Sequence, residues 1–337
     1  MTLDSSYQII REFKRNPSSV TALIKRENSY LVRKTALSGS ERIPSYLRLQ
    51  RQYEWLKAHE PNLQGFVPKV TSSDKGKGYF SYEMEYWDMP NLHELIISGK
   101  TREAQTSLDR VLEFLFQNMY SERSSWPQGL LQEYIREKML KRVESVVAWS
   151  PSLQQIASSP TLVVNGKECE NFIPLIRRLL ENPKLNSFLE PPYTCTIHGD
   201  LTAENILAGP DGSFILIDMD TENIIHAPYL DLSKLMQSFH SFYEFRSASS
   251  DEPVIRDNTI CFDPCSDNQY TELYRSLLRR LPSLMPGKLE LETILLFFEA
   301  SHFTRMLPYR FVENSTTLPV FYAIATELLH EFNQRIQ

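Results

Sequence analysis

Apolar and polar positions alternate in short runs over the first ninety residues: YQIIREF at 7–13, VTALIKR at 20–26 and SYLVRKTA at 29–36, broken by NPSS at 16–19 and EN at 27–28. A period of two between turn signals predicts a hairpin meander. After Gly39 and Pro44, the second well placed for a first helical turn, SYLRLQRQYEWLKAHE repeats Leu49, Tyr53 and Leu56 at helical spacing, and Pro61 closes it. VPKVTSS at 67–73 and GYFSYEMEY at 78–86, separated by DKGKG, add two strands. This part therefore reads β-β-β-α-β-β.

From about residue 91 the period lengthens to that of helices, through NLHELIIS, TREAQTSLDRVLEFLFQNMYSE, GLLQEYIREKMLKRVESVVAWS and ENFIPLIRRLLENPKLNSFL. In the second of these Leu108, Val111, Leu112, Leu115 and Phe116 form one stripe. A short β element at 193–198 and a hairpin-like pair, NILAG and SFILIDMD around Pro210-Asp211-Gly212, interrupt the helices, which return from Leu230 to the end. The pattern predicts a small sheet-rich lobe on a larger helical one, with a cleft between them.

Composition narrows the class without changing that picture. The 337 residues are 42% hydrophobic and 23% charged, an ordinary globular mixture, with only 11 glycines to make flexible linkers. There is no run of about 18 apolar residues, and the start, MTLDSSYQIIREFKR, lacks the basic-then-apolar order of a signal peptide. A soluble, cytoplasmic protein is expected, with no membrane partner. Four scattered cysteines do not make a disulfide framework, and the CFDPC pair, Cys261 and Cys265, lacks a second pair at ligand spacing. Residues 1–90 hold 14 Lys+Arg and 10 Asp+Glu, whereas the remainder carries a net −10. That balance argues against a nucleic-acid partner and suits a neutral or cationic substrate, although acidic residues also simply keep a surface soluble.

The chemically informative stretch is TIHGDLTAENILAGPDGSFILIDMD, residues 196–220. It places His198, Gly199, Asp200 and Asn205 on one loop, and Asp218 at the end of a strand that pairs back beside it. Oxygen ligands suited to Mg²⁺ and a separate carboxylate able to receive a hydroxyl proton are what phosphoryl transfer requires.

These residues resemble the signature H-G-D-x-x-x-x-N followed by I-D of the aminoglycoside phosphotransferase and choline kinase branch of the protein-kinase-like fold. The resemblance implies an α+β, bilobal protein-kinase-like fold, with an antiparallel-sheet nucleotide-binding lobe at 1–88 and a catalytic, substrate-binding helical lobe at 89–337. It implies that Asp200 orients or deprotonates the acceptor hydroxyl, that His198 is a structural hinge of the catalytic loop, and that Asn205 and Asp218 hold magnesium, with Asp220 assisting at the metal or at substrate. Asp231, opening DLSKLMQSF, matches an aspartate that ties this helix to the loop and also caps it.

The resemblance also implies that Lys34, on the third strand, grips the nucleotide phosphates. Its partner carboxylate is less defined: Glu54 is the only acidic residue in mid-helix, while the family spacing falls nearer Leu49 to Gln52. Glu54 reads equally as an exposed charge paired with Arg51 or Lys57. The loop KRNPSSV has no glycine, so backbone and hydroxyl groups of Ser18 and Ser19 would have to meet phosphate, or the segment is a plain β-turn. Met84 would face the adenine, and the backbone of Glu85 and Tyr86 would form the hinge; an ordinary strand end fits the same residues.

The implied activity is an ATP- and Mg²⁺-dependent small-molecule kinase with a hydroxyl-bearing acceptor, such as a sugar, amino sugar or related polyol. Recognition falls to the helical lobe, including 102–190 and the aromatic segment His240, Phe242, Tyr243 and Phe245, which reads equally as core. A protein or peptide kinase and a non-catalytic nucleotide-binding module are the alternatives. Oligomeric state is not legible.

Overall fold

Strand β3 (Ser29–Leu37) shows why the first lobe forms. Val32, Lys34 and Ala36 alternate onto its buried face, whereas Arg33 points the other way. In the computed structural model, which describes residues 7–16, 18–38, 45–287, 290–313 and 315–337, β3 is the centre of an antiparallel sheet. The sheet contains β1 (Gln8–Asn16), β2 (Ser19–Arg26), β4 (Val70–Gly76) and β5 (Tyr79–Glu85), in the order β1-β2-β3-β5-β4. Helix α1 (Ser45–His59) covers the face carrying Phe80 and Tyr82, with Tyr53 edge-on to Phe80 at 5.4 Å and Leu56 buried. Gly39 and Pro44 lie outside the described residues. On the opposite face the buried Glu83 carboxylate accepts from Arg33 at 2.7 Å and Arg26 at 2.8 Å, so its charge is paired.

The second lobe is mainly helical. Its axis is the helix Pro228–Phe239, every residue of which is buried, packed against Leu291–Val312 and, beyond that, Leu318–Arg335. A helix buried all round must satisfy its polar side chains internally, and this one carries Asp231, Ser233, Lys234, Gln237 and Ser238. Of the stripe expected in Thr101–Phe114 and its π-helical continuation Leu115–Met119, all but the partly buried Phe116 are in the core.

Two expectations change. The element expected at 193–198 is reduced to a single bridge, Ser124 to Thr194. Conversely, the helical lobe contains a small sheet that no periodicity announced: β6 (Thr161–Val164), β7 (Lys167–Glu170), β10 (Val254–Arg256) and β11 (Thr259–Cys261), in the order β10-β11-β6-β7. The hairpin of β8 (Ile206–Ala208) and β9 (Phe214–Leu216) forms as expected. It ties the lobes together through the Leu216 amide, which donates to the Phe66 carbonyl at 2.8 Å, while the Ala208 amide holds the start of the helical lobe by donating to the Pro90 carbonyl at 2.8 Å. The whole is a bilobal, protein-kinase-like architecture. Among the described residues, no helix is long and apolar enough to cross a membrane.

Candidate active site

The loop at 198–205 is held by buried hydrogen bonds. Asp231, fully buried, accepts from the amides of His198 (2.9 Å) and Gly199 (2.7 Å) and from the Tyr120 hydroxyl (2.8 Å). Burial holds its carboxyl above the usual range even against those donors. Asp231 therefore ties the helix to the loop as expected, but it does not cap it: the helix starts at Pro228 with Ala227 as cap. His198 donates from Nε2 to the Ile217 carbonyl at 2.8 Å, which leaves Nδ1 to accept the Asp200 amide at 3.3 Å. It stands behind the loop as a brace. Gly199 has φ +83°, and a Cβ there would lie 2.3 Å from Asn223 Nδ2 and 2.4 Å from the Asp220 carbonyl. Only glycine fits this turn.

The braced loop presents Asp200. Its Oδ1 takes the Lys234 ammonium at 2.9 Å, and its Oδ2 lies 3.2 Å from Asn205 Nδ2, which also donates to the Asp200 carbonyl at 2.7 Å. Burial favours the neutral acid, but the charge and hydrogen bond of Lys234, with His198 and Arg305 adding to them, together outweigh it and keep the Asp200 carboxyl below its ordinary value. Asp200 is thus ionised, partly exposed and fixed in orientation. Asn205 spends its amide nitrogen on Asp200, and its backbone carbonyl accepts the Ile217 amide at 3.0 Å, which sets Asp218 beside it.

Asp218 adopts a left-handed φ of +61°, a strained state for a non-glycine residue that is characteristic of functional positions. Its Oδ1 meets Lys34 Nζ from the other lobe. Burial alone would neutralise both groups; instead Asp218 and Tyr82 hold the lysine pKa up, and Lys34 holds the Asp218 pKa down. The Tyr82 phenol is pushed up to about 12, chiefly by burial.

The helix partner of Lys34 is Gln52, not Glu54. Gln52 Oε1 accepts from Lys34 Nζ at 3.1 Å and from the Tyr82 hydroxyl at 2.8 Å, while its Nε2 donates to the Met219 carbonyl at 2.8 Å. Glu54 is exposed and accepts from Gln50 at 2.6 Å. Two residues along a helix is a rotation of about 200°, so when Gln52 faces Lys34, Glu54 faces away. Position 52 lies within the stretch to which the family spacing points.

Other expected residues fall in varied surroundings. Ser18 lies in the turn before β2 and Ser19 opens that strand opposite Asn16, with the Ser18 hydroxyl 2.9 Å from that of Ser45 at the start of α1. Met84 is buried in the core, paired across the sheet with Val32 and Val70. The Glu85 amide already donates to the Lys69 carbonyl at 2.9 Å, so that donor does not serve a hinge, and Tyr86 bonds Asp88 at 2.9 Å. Asp220 is a correction in role: Oδ1 accepts the Glu222 amide at 2.9 Å and Oδ2 the Arg305 guanidinium at 3.0 Å, so its carboxylate is committed to protein. The aromatic segment is chiefly structural, with Phe242 and Phe245 packed on Tyr270 and His240 on Tyr274.

Among the described residues no group of three or more His, Cys, Asp or Glu side chains is arranged to hold a metal. Mg²⁺ needs only one or two protein oxygens, completed by water and phosphate; the Asn205 side chain is turned to Asp200, and its backbone carbonyl accepts the Ile217 amide one residue before Asp218, so an amide oxygen and a carboxylate come from adjoining segments here. A cavity of about 650 Å³ opens elsewhere, behind the segment that leads into the loop, lined by Trp55, His59, Glu122, Cys195 and His226 among others. It contains none of the groups above, and the site is assigned by convergent chemistry rather than by size.

The sequence reaches Gln52 only as the end of the stretch Leu49 to Gln52, and it passes over Lys234 and Arg305. Lys234 had a signal, since it lies three residues after Asp231 on the same helix; Arg305, more than eighty residues from Asp220, had none.

No family model and no curated protein matches the chain. Among solved structures it is similar to an aminoglycoside-3'-phosphotransferase of type VIII (TM-score 0.46, 13% identity, 87% of this chain and 93% of that one). It is also similar to a spectinomycin phosphotransferase in complex with ADP and spectinomycin (TM-score 0.47, 12% identity, 97% and 93%).

Proposed function

We propose that the protein transfers the γ-phosphoryl group of ATP to a hydroxyl of a small sugar-like or polyol acceptor. The observation that carries this reading is the convergence of Asp200, Asn205 and Asp218 on one braced loop and hairpin, with Lys34 brought to Asp218 from the other lobe. In the reaction, Asp200 accepts the proton of the hydroxyl whose oxygen bonds to the γ-phosphorus, as the bond from that phosphorus to the β-bridging oxygen breaks and its electron pair leaves on ADP. Lys234 keeps Asp200 ionised for that task. Lys34, oriented by Gln52, neutralises phosphate oxygens, and Asn205 and Asp218 hold Mg²⁺, which supplies charge neutralisation.

A test independent of the acceptor is calorimetric titration of ATP with and without Mg²⁺. Mg²⁺ is expected to tighten binding at least about tenfold in the native protein, a difference of roughly 1.4 kcal/mol, and to have no such effect in Asp218→Ala. Equal Mg²⁺ dependence in the two proteins would refute the assignment.

A further inference from the structure

The charge beside Asp200 runs against the charge of its lobe. Residues 91–337 carry a net −10, yet the groups next to the loop on the side away from Lys34 are cations. Lys234, 6% exposed, is spent on Asp200, and Arg305 on Asp220. Arg310 is spent on Glu313 and the Ser247 hydroxyl, and Arg51 on Glu222. That uses the nearby carboxylates. Two further cations then stand around Arg305 with only carbonyl partners: Lys138 donates to the Glu222 backbone at 3.2 Å, and Arg142 donates to the Arg305 backbone at 3.1 Å while lying over the Tyr309 ring. Neither makes an ion pair with a carboxylate among the described residues. Nη1 of Arg305 is also buried without a hydrogen-bond partner.

Gathering three half-buried cations around the single carboxylate of Asp220, with Glu222 already taken by Arg51, costs free energy. Burial, with Arg305 and Arg142 adding to it, pushes the Lys138 ammonium below its ordinary value, against the pull of Asp220 and Glu222. Lys138 also lies in a π-helical turn, Ile135–Leu140, a distortion frequently found at functional positions. Asp220 connects this cluster to the loop, since its amide donates to the His198 carbonyl and its carboxylate holds Arg305.

We propose that Lys138, Arg142 and Arg305 form an anion subsite of the acceptor, so that the molecule phosphorylated at Asp200 carries a carboxylate or phosphate as well as its reacting hydroxyl. The inference rests on the phosphoryl-transfer reading above and gives its acceptor a charge. It replaces the neutral or cationic acceptor that the overall acidity suggested: the −10 is spread over the lobe, whereas recognition depends on the local field. Guanidinium groups suit such a ligand because they bind carboxylate and phosphate in a bidentate manner.

The test has two arms. In the first, inorganic phosphate is titrated calorimetrically at constant ionic strength with ADP and Mg²⁺ saturating, which keeps phosphate from the Lys34 side. Saturable binding is expected in the native protein, at least tenfold weaker binding in the double variant Lys138→Gln, Arg142→Gln, and recovery in Lys138→Arg, Arg142→Lys. No saturable binding, or equal affinity in all three proteins, overturns the subsite. In the second arm, ADP release is followed with glucose, glucosamine, glucuronate and glucose 1-phosphate. Release with the anionic members and background rates with the others supports the proposal; release with glucose or glucosamine at equal or higher rates overturns it while leaving the kinase intact. If no ADP binds at all, it is the kinase reading that falls, and the phosphate titration run without nucleotide judges the subsite by itself.

Discussion

The two sides of the 198–205 loop are built differently. Facing the sheet lobe, Lys34 pairs with one carboxylate, Asp218, with a neutral amide, Gln52, as the third member and the Lys14 charge also acting on Asp218. Facing the helices, Lys234 meets Asp200 and Arg305 meets Asp220, with Lys138 on the Glu222 carbonyl and Arg142 on the Arg305 carbonyl. On the first side Lys34 and Asp218 are paired across two lobes, and in the proposed reaction phosphate and metal ion would separate that pair. On the second side positive charge is in surplus within a single lobe, held by packing, and awaits a counter-ion. The contrast teaches that the net charge of a lobe says little about the charge of its site.

The largest effects come from the two carboxylates that define the sides. Asp200→Asn and Asp218→Asn are each expected to lower turnover by about 10³-fold, within the range spanned by a lost general base or a lost metal ligand. They do so with unequal signatures, since Asp200→Asn leaves ATP affinity as it is and Asp218→Asn weakens it. ADP-release kinetics paired with ATP titration read both, and identical signatures would erase the distinction between the sides.

Next in size are the two lysines. Lys34→Met is expected to cost roughly 10²-fold in kcat/KM for ATP without moving the acid limb of the pH profile. Lys234→Met costs less, about tenfold, the size of one charge-assisted hydrogen bond, but it moves that limb to higher pH. The sign follows from linkage: Lys234 holds the Asp200 pKa down, so the carboxylate survives into more acidic solution with the lysine than without it. A pH–rate profile of Lys234→Met that overlays the native one would show that the ammonium merely packs.

Which features were legible in the sequence follows the same division. The sheet lobe and its helix could be read because antiparallel strands joined by short turns leave a local period of two, and Lys34 inherits its inward facing from Val32 and Ala36. The loop could be read because Asp200, Asn205 and Asp218 lie within nineteen residues. Glu54 misled because an acidic side chain was sought where the helix rotation delivers Gln52. The second sheet was invisible: it pairs β6 with β11 in parallel, Val163 opposite Thr259, in strands too short to show a period. The cations of the acceptor side come from three separate helical segments, and only the packing of Leu291–Val312 against its neighbours brings Arg305 to Asp220.

The last effect is one of stability and leaves turnover in place, and it concerns the scaffold that holds the loop on its helical side. Asp231 accepts the amides of His198 and Gly199, while further along Glu244, itself buried, accepts the Ala203 amide at 3.2 Å and the Ser238 hydroxyl at 2.7 Å. Both acceptances fall on Oε1; Oε2 is buried with no hydrogen-bond partner, the environment of a protonated oxygen. Burial, only partly countered by Ser238, raises the Glu244 carboxyl from 4.5 to about 7. A raised folded-state pKa means that the folded protein binds the extra proton between those values, so the stability associated with it is complete below pH 4.5 and is lost as pH rises through about 7. The full span corresponds to an upper bound of roughly 3 kcal/mol. Glu244→Gln keeps the acceptor for Ala203 and Ser238 and cannot ionise; its melting temperature, measured from pH 5 to 8, should therefore fall less steeply with rising pH than that of the native protein. Parallel curves would mean that Glu244 is already ionised at pH 5 and that the loop is clamped without a neutral Glu244.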